Sequence, residues 1–140
     1  MWHGLCVGAA SMGARTYREL EVWQLAEALR LGIVKHTTAV PIRQDFRFCS
    51  EVQAAARSVA ANIAEGFTRF TPAEFLQFLR YAHGSLAEVQ TYVHEMRHRS
   101  LVPAGSCDEL ETLAARTGAA LTALIRYLRT DDAKVKSRRF

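Results

Sequence analysis

The sequence predicts an all-α protein, an up-down-up-down four-helix bundle, and three observations carry that prediction. Apolar residues recur at alternating steps of three and four over four long stretches, the period of one helix face. Short breakers separate the stretches: Pro41, then Gly66 to Pro72, then Pro103-Ala104-Gly105-Ser106. No stretch alternates apolar and polar residues as a half-buried strand does, and hydrophobic residues make up 49% of 140 residues with only 8 Gly and 3 Pro, the balance of one ordered domain.

The first helix is expected from Tyr17 to Thr38, with Val22, Leu25, Leu29 and Ile33 on its apolar face, and Thr37 to Pro41 ends it because the residue before proline disfavours helix. The second is expected from Arg43 to Gly66 or Phe67, with Gly66 near its C-cap. Val52, Ala56, Val59 and Ile63 form its stripe. Alanine at 54, 55, 56, 60, 61 and 64 leaves it little bulk, so neighbours approach closely and the helix is expected to be buried. Thr71-Pro72-Ala73-Glu74 reads as a fresh start, with Thr at N-cap, Pro at N1 and Glu closing a capping box. The third helix then runs along Phe75, Leu79, Ala82, Leu86, Val89, Val93 and Met96. Asp108, Glu109 and Glu111 suit the positive N-terminus of a fourth helix, whose stripe is Leu110, Leu113, Thr117, Ala120, Leu124 and Leu128. Residues 1–15 and 131–140 lack a period and are expected to be flexible segments flanking a bundle over 16–130. Short connections favour antiparallel neighbours.

Ser58-Val59-Ala60-Ala61-Asn62-Ile63-Ala64-Glu65-Gly66 is the most informative stretch. Asn62 is a poor interior helix residue, and burial would oblige it to find partners. The antiparallel register offers Tyr17 to Trp23, Gln77, and Arg126 or Tyr127. The stretch resembles the S-I-P-A-N-I-A-E-G signature of the four-helix-bundle proteins encoded in intervening sequences of bacterial 23S ribosomal RNA genes. Tyr17 to Gln24 is similar to that family's opening helix, Pro41 to the proline of its first turn, and Gly84-Ser85-Leu86-Ala87-Glu88 to its G-S-L-x-E element. The resemblance spans about residues 16–130. It implies a ring-forming homo-oligomer, commonly a pentamer, with a role in binding nucleic acid, and a structural network of Ser58, Asn62, Glu65, Gly66, Gly84, Ser85 and Glu88. Ala60 replaces the signature proline, and Glu51, Gln53 and Ala54 stand where the family carries Gln and an Arg pair.

Topology also places the charges. The end where the first and third helices finish gathers Lys35, Arg43, Arg47, Arg97 and Arg99 with Asp45, Glu51, Glu95, Asp108, Glu109 and Glu111. The opposite end gathers ten basic residues, among them Arg69, Arg126, Arg129, Lys134, Lys136, Arg138 and Arg139, against six acidic ones, an excess equal to the chain's net +4. In a parallel pentamer that excess approaches +20 on one rim, which would hold the phosphates of RNA or single-stranded DNA without reading sequence. The alternative is a structural or adaptor oligomer that binds another protein.

Catalysis is not expected. His94-Glu95-Met96-Arg97-His98 has the H-E-x-x-H spacing of zinc peptidases, but Arg97 sets a cation beside the metal position and no further His follows. There is no glycine-rich phosphate loop, and no Ser sits in a strand-to-helix elbow. Neither a metal, a cofactor nor a small-molecule substrate is expected. The first fifteen residues lack the apolar run of a secretory signal or membrane span, and Cys6, Cys49 and Cys107 are too far apart for a C-x-x-C pair. Both features point to a cytoplasmic protein with reduced thiols.

Overall fold

The computed structural model describes residues 13–39 and 41–138, and the side chains of 133 and 135–138 are outside the description. Four helices account for nearly all of it: α1 (Glu21–His36), α2 (Phe46–Phe67), α3 (Pro72–His98) and α4 (Ala104–Arg138). They pack in cyclic order, α1 on α2, α2 on α3, α3 on α4 and α4 back on α1, which is the up-down-up-down bundle the periodicity predicts.

The apolar stripes meet along the axis. Val22, Leu25, Leu29 and Ile33 of α1, and Val52, Ala56, Val59 and Ile63 of α2, are all buried, as is every residue of the third predicted stripe from Phe75 to Met96. On α4 the buried line is Leu110, Ala114, Thr117, Leu121, Leu124 and Leu128, while Leu113 and Ala120 lie half-buried at its edge. Thr117 is accommodated there because its hydroxyl donates to the Leu113 carbonyl one turn back, at 2.7 Å. Cys49 and Cys107 are buried free thiols, with burial raising both pKa values, and Cys49 Sγ donates to the Ile42 carbonyl at 3.2 Å.

The ends of the elements follow local chemistry. The Tyr17–Glu19 segment is a separate 3-10 turn, because Leu20 adopts an extended conformation and drives its side chain into the core before α1 begins. The second helix starts at Phe46 rather than Arg43: Ile42–Gln44 is a 3-10 turn, and Asp45 caps α2 by accepting from the Phe48 N–H at 3.1 Å. At α3 the capping box is complete. The Glu74 N–H donates to Thr71 Oγ1 at 3.2 Å, and the Glu74 carboxylate accepts from the Thr71 N–H at 3.1 Å.

Helix α3 ends on Ser100, whose φ of 53° places a non-glycine residue in the left-handed region. The Leu101 N–H donates to the Met96 carbonyl at 2.9 Å and the Ser100 N–H to that of Arg97 at 3.1 Å, the paired bonds of a Schellman stop in which glycine normally occupies this position. Ser100→Gly removes the Cβ strain, and the expected result is a gain of a few tenths to about 1 kcal/mol in unfolding free energy, read as a higher urea midpoint with unchanged slope.

Helix α4 departs from expectation at both ends. It begins at Ala104, directly after Pro103, since a proline's fixed φ suits the approach to a first turn and Gly105 lies within that turn. It also runs on to Arg138, so residues 131–138, whose sequence shows no period, continue the bundle's longest helix. The stripe continues through Asp131, three residues beyond Leu128 and only 6% exposed, where a polar residue hides the period. The expected flexibility of residues 1–12 concerns a segment outside the described residues.

Candidate functional site

Antiparallel packing of α2 on α3 lays the motif residues along one outward seam. Ala55, Ala56 and Ala60 are buried in α2, Ala60 beside Tyr17 and Trp23 on the α1 side, while Ala54 and Ala61 are exposed, so α2 is covered on one side rather than all round. At the middle of the seam the hydroxyls of Ser58 and Ser85 share a hydrogen bond of 2.9 Å across the two helices. Toward the far end of α2 the Gly66 backbone lies against the ring of Phe75 and the Cβ of Phe78.

Asn62 belongs to this seam, but its partners differ from those expected. It is half-buried, and its Nδ2 donates to the Ser58 carbonyl at 2.9 Å and to Ser58 Oγ at 3.1 Å, one turn back on its own helix. Gln77 is exposed, and no bond reaches Asn62 from the start of α1 or from α4 among the described residues. A short amide at an outward-facing helical position satisfies itself locally before it reaches a neighbour. Asn62→Ala is therefore expected to be nearly neutral, within about 0.5 kcal/mol, because alanine's better helix propensity offsets a partly solvated hydrogen bond. Thermal melting of the variant checks it.

The remaining predicted network residues divide. Glu65 accepts from Arg69 Nη2 at 2.7 Å. Glu88 makes no hydrogen bond or ion pair among the described residues and lines a shallow recess with Gly84, Ala87, Thr91 and Tyr92. A Cβ at Gly84 would meet nothing within 4 Å. The seam thus joins Ser58, Asn62 and Ser85 directly, and leaves Gly84 and Glu88 facing outward.

The charges separate by end as the topology requires. Where α3 finishes and α4 begins, Arg97 bridges Asp108 at 2.6 Å and Glu111 at 3.0 Å, and Arg99 bridges Glu95 at 2.9 Å and Asp45 at 3.2 Å. Arg47 pairs with Glu51 at 2.9 Å, and His36 meets Glu109 at 3.0 Å. The carboxylates of Glu111 and Asp108 raise the pKa of Arg97, and the Phe48 N–H followed by Arg99 lowers that of Asp45. Three of the five basic residues named for this end are thereby neutralised.

At the opposite end Arg126, Arg129 and Lys134 are exposed on α4, and Arg80 is exposed on α3. Arg80, Arg126 and Arg129 make no ion pair among the described residues. Lys136 and Arg138 are carried by the last turns of α4, and Arg139 lies outside the described residues. Arg69 is the exception: besides its bond to Glu65, its guanidinium lies 4.5 Å from the centre of the Phe78 ring, and its Nε is buried without an acceptor. A stacked and paired arginine has little left for a phosphate, and no sequence pattern announces that arrangement.

His94 and His98 are exposed on α3, and Glu95 between them is held by Arg99. Among the described residues no three His, Cys, Asp or Glu side chains are placed to hold a metal ion. A recess of about 270 Å³ between α1 and α4 is lined by Leu20, Glu21, Val22, Ala120, Ala123, Leu124 and Tyr127. Its walls offer a single carboxylate and no nucleophile–base pair. No helix among the described residues is long and apolar enough to cross a membrane.

Residues 18–123 match the model of a family described as 23S rRNA-intervening sequence protein. No curated protein matches the chain.

Proposed function

The chain belongs to the 23S rRNA-intervening sequence protein family, and on that premise we propose that it is a non-enzymatic, cytoplasmic homo-oligomer that binds RNA or single-stranded DNA as an accessory protein, through the basic end of its bundle. The observation that carries this reading is the unequal fate of the arginines. Arg47, Arg97 and Arg99 are neutralised where α3 meets α4, while Arg80, Arg126 and Arg129 make no ion pair among the described residues at the other end. Unpaired exposed cations on one end raise the local phosphate affinity without reading sequence. Self-association, expected as a pentamer, is supported by exposed small residues, Ala54 and Ala61 on α2 and Gly84 and Ala87 on α3, which leave room for the backbone of a second copy, and by Leu31 and Phe46, which are 54% and 79% exposed. A parallel ring brings several basic ends together.

The test is a titration of the intact protein with a labelled unstructured RNA at increasing salt, alongside light scattering. The expected result is an oligomer whose affinity falls by about 0.7 log units per log unit of salt for each phosphate it engages. A 15.7 kDa monomer at micromolar concentration would remove the concentrated rim. Absence of binding even at low salt would transfer the reading to an adaptor oligomer with a protein partner.

A further inference from the structure

The ring of Phe70 is unusually exposed for its size at the basic end. It is 67% exposed in the α2–α3 turn, directly after Arg69. Its backbone is held rather than loose, because the Glu74 carboxylate that completes the α3 capping box also accepts from the Phe70 N–H at 3.0 Å. A second aromatic group begins at its neighbour in sequence, Arg69. Arg69 stacks on Phe78, and Phe78 meets Tyr81 edge-on with ring centres 5.6 Å apart. Tyr81 is 50% exposed, and Arg80, exposed and without an ion pair among the described residues, adjoins it in sequence. The nearby acids are already engaged: Glu65 by Arg69, and Glu74 by backbone N–H groups.

A fixed, exposed aromatic surface bordered by cations suits one ligand chemistry closely. Unpaired bases stack on such rings while their phosphates stay beside a cation such as Arg80, whereas a duplex keeps its base faces covered. We infer that Phe70, together with the Arg69–Phe78–Tyr81 group next to it in sequence, is a base-stacking platform that makes the basic end selective for single-stranded over double-stranded nucleic acid. The inference rests on the nucleic-acid reading above and adds the strandedness of the ligand. Phe46, 79% exposed at the other end, provides an internal contrast, since the neighbouring Arg47 is paired with Glu51.

The experiment compares the intact protein with the Phe70→Ala, Phe70→Trp, Tyr81→Ala and Phe46→Ala variants, using an unstructured RNA oligonucleotide and a blunt duplex of equal length. Stacking one base is worth enough that Phe70→Ala is expected to weaken single-strand binding by about 5- to 100-fold. The salt slope should stay unchanged, because a ring releases no counterions. Phe70→Trp should retain binding, Tyr81→Ala should weaken it, and Phe46→Ala should leave it untouched. Duplex affinity should not follow Phe70. The inference is overturned if Phe70→Ala binds single strands like the intact protein, if duplex binding falls equally, or if the variant changes oligomer size, which would place the ring in a subunit seam. Failure of the intact protein to bind either ligand would instead overturn the nucleic-acid reading itself.

Discussion

Gly66→Ala is expected to lower the unfolding free energy by about 1–3 kcal/mol, while Gly84→Ala is expected to raise it by about 0.5–1 kcal/mol. The two substitutions are chemically identical and both fall inside helices, so each gains the same helix propensity. They differ in what the new methyl group meets. At Gly66 it would lie 2.8 Å from Phe75 Cδ1 and 2.8 Å from Phe78 Cβ. The second of these atoms is fixed to the α3 backbone, so relief requires the helices to part. At Gly84 it would meet nothing within 4 Å. Urea unfolding of both variants decides the matter. Equal stabilisation would show that α2 and α3 do not pack this closely at Gly66. Gly84→Ala also reports on assembly, because a monomer gains stability from it while an interface built on close backbone approach loses affinity.

Gly66 illustrates how the sequence conveys importance without mechanism. Its position near the end of α2 suggests a left-handed cap, yet it lies inside the helix with Thr68 as the C-cap, and the one glycine with positive φ among the described residues is Gly13. What glycine supplies at 66 is room for two phenylalanines of the next helix, and that cannot be read before the register is known.

The same division holds along the chain. The third helix was legible almost completely, because its start is written in the Thr71–Glu74 box and its stripe never leaves the step of three and four. The end of α4 was not, because Asp131 occupies a buried stripe position with Oδ2 unpartnered, and a carboxylate there disguises a helical period as its loss. Helix alternation alone assigned the charges to their two ends. Which arginines remain available depends on side-chain geometry: Arg69 counts as a rim cation by position, yet is held between Glu65 and Phe78. Asn62 was misplaced for a related reason, since a helical amide has partners one turn away as well as across the bundle.

The rim itself is expected to respond most strongly to two changes that spare the core. Arg126→Ala with Arg129→Ala removes two exposed cations that make no ion pair among the described residues, and truncation before Ala133 removes Lys134, Lys136, Arg138 and Arg139 without any acidic residue, taking the net charge from +4 to zero. Cutting there keeps Asp131 in its buried position and leaves Leu128, the last fully buried apolar residue of α4, untouched. Melting should therefore stay near that of the intact protein. Binding of an unstructured RNA at low salt should fall about tenfold or more for each change, and the salt slope should flatten by about 0.7 for every phosphate that is no longer engaged. Arg97→Ala supplies the contrast, for it breaks the bridges to Asp108 and Glu111 at the opposite end and should cost stability without altering the slope. If both rim changes leave affinity and slope intact, the binding surface must be sought at Lys35, Arg43, Arg47, Arg97 and Arg99. A slope that flattens with Arg97→Ala alone would then place the phosphates at the end where α3 meets α4, which requires the ion pairs there to open when nucleic acid arrives.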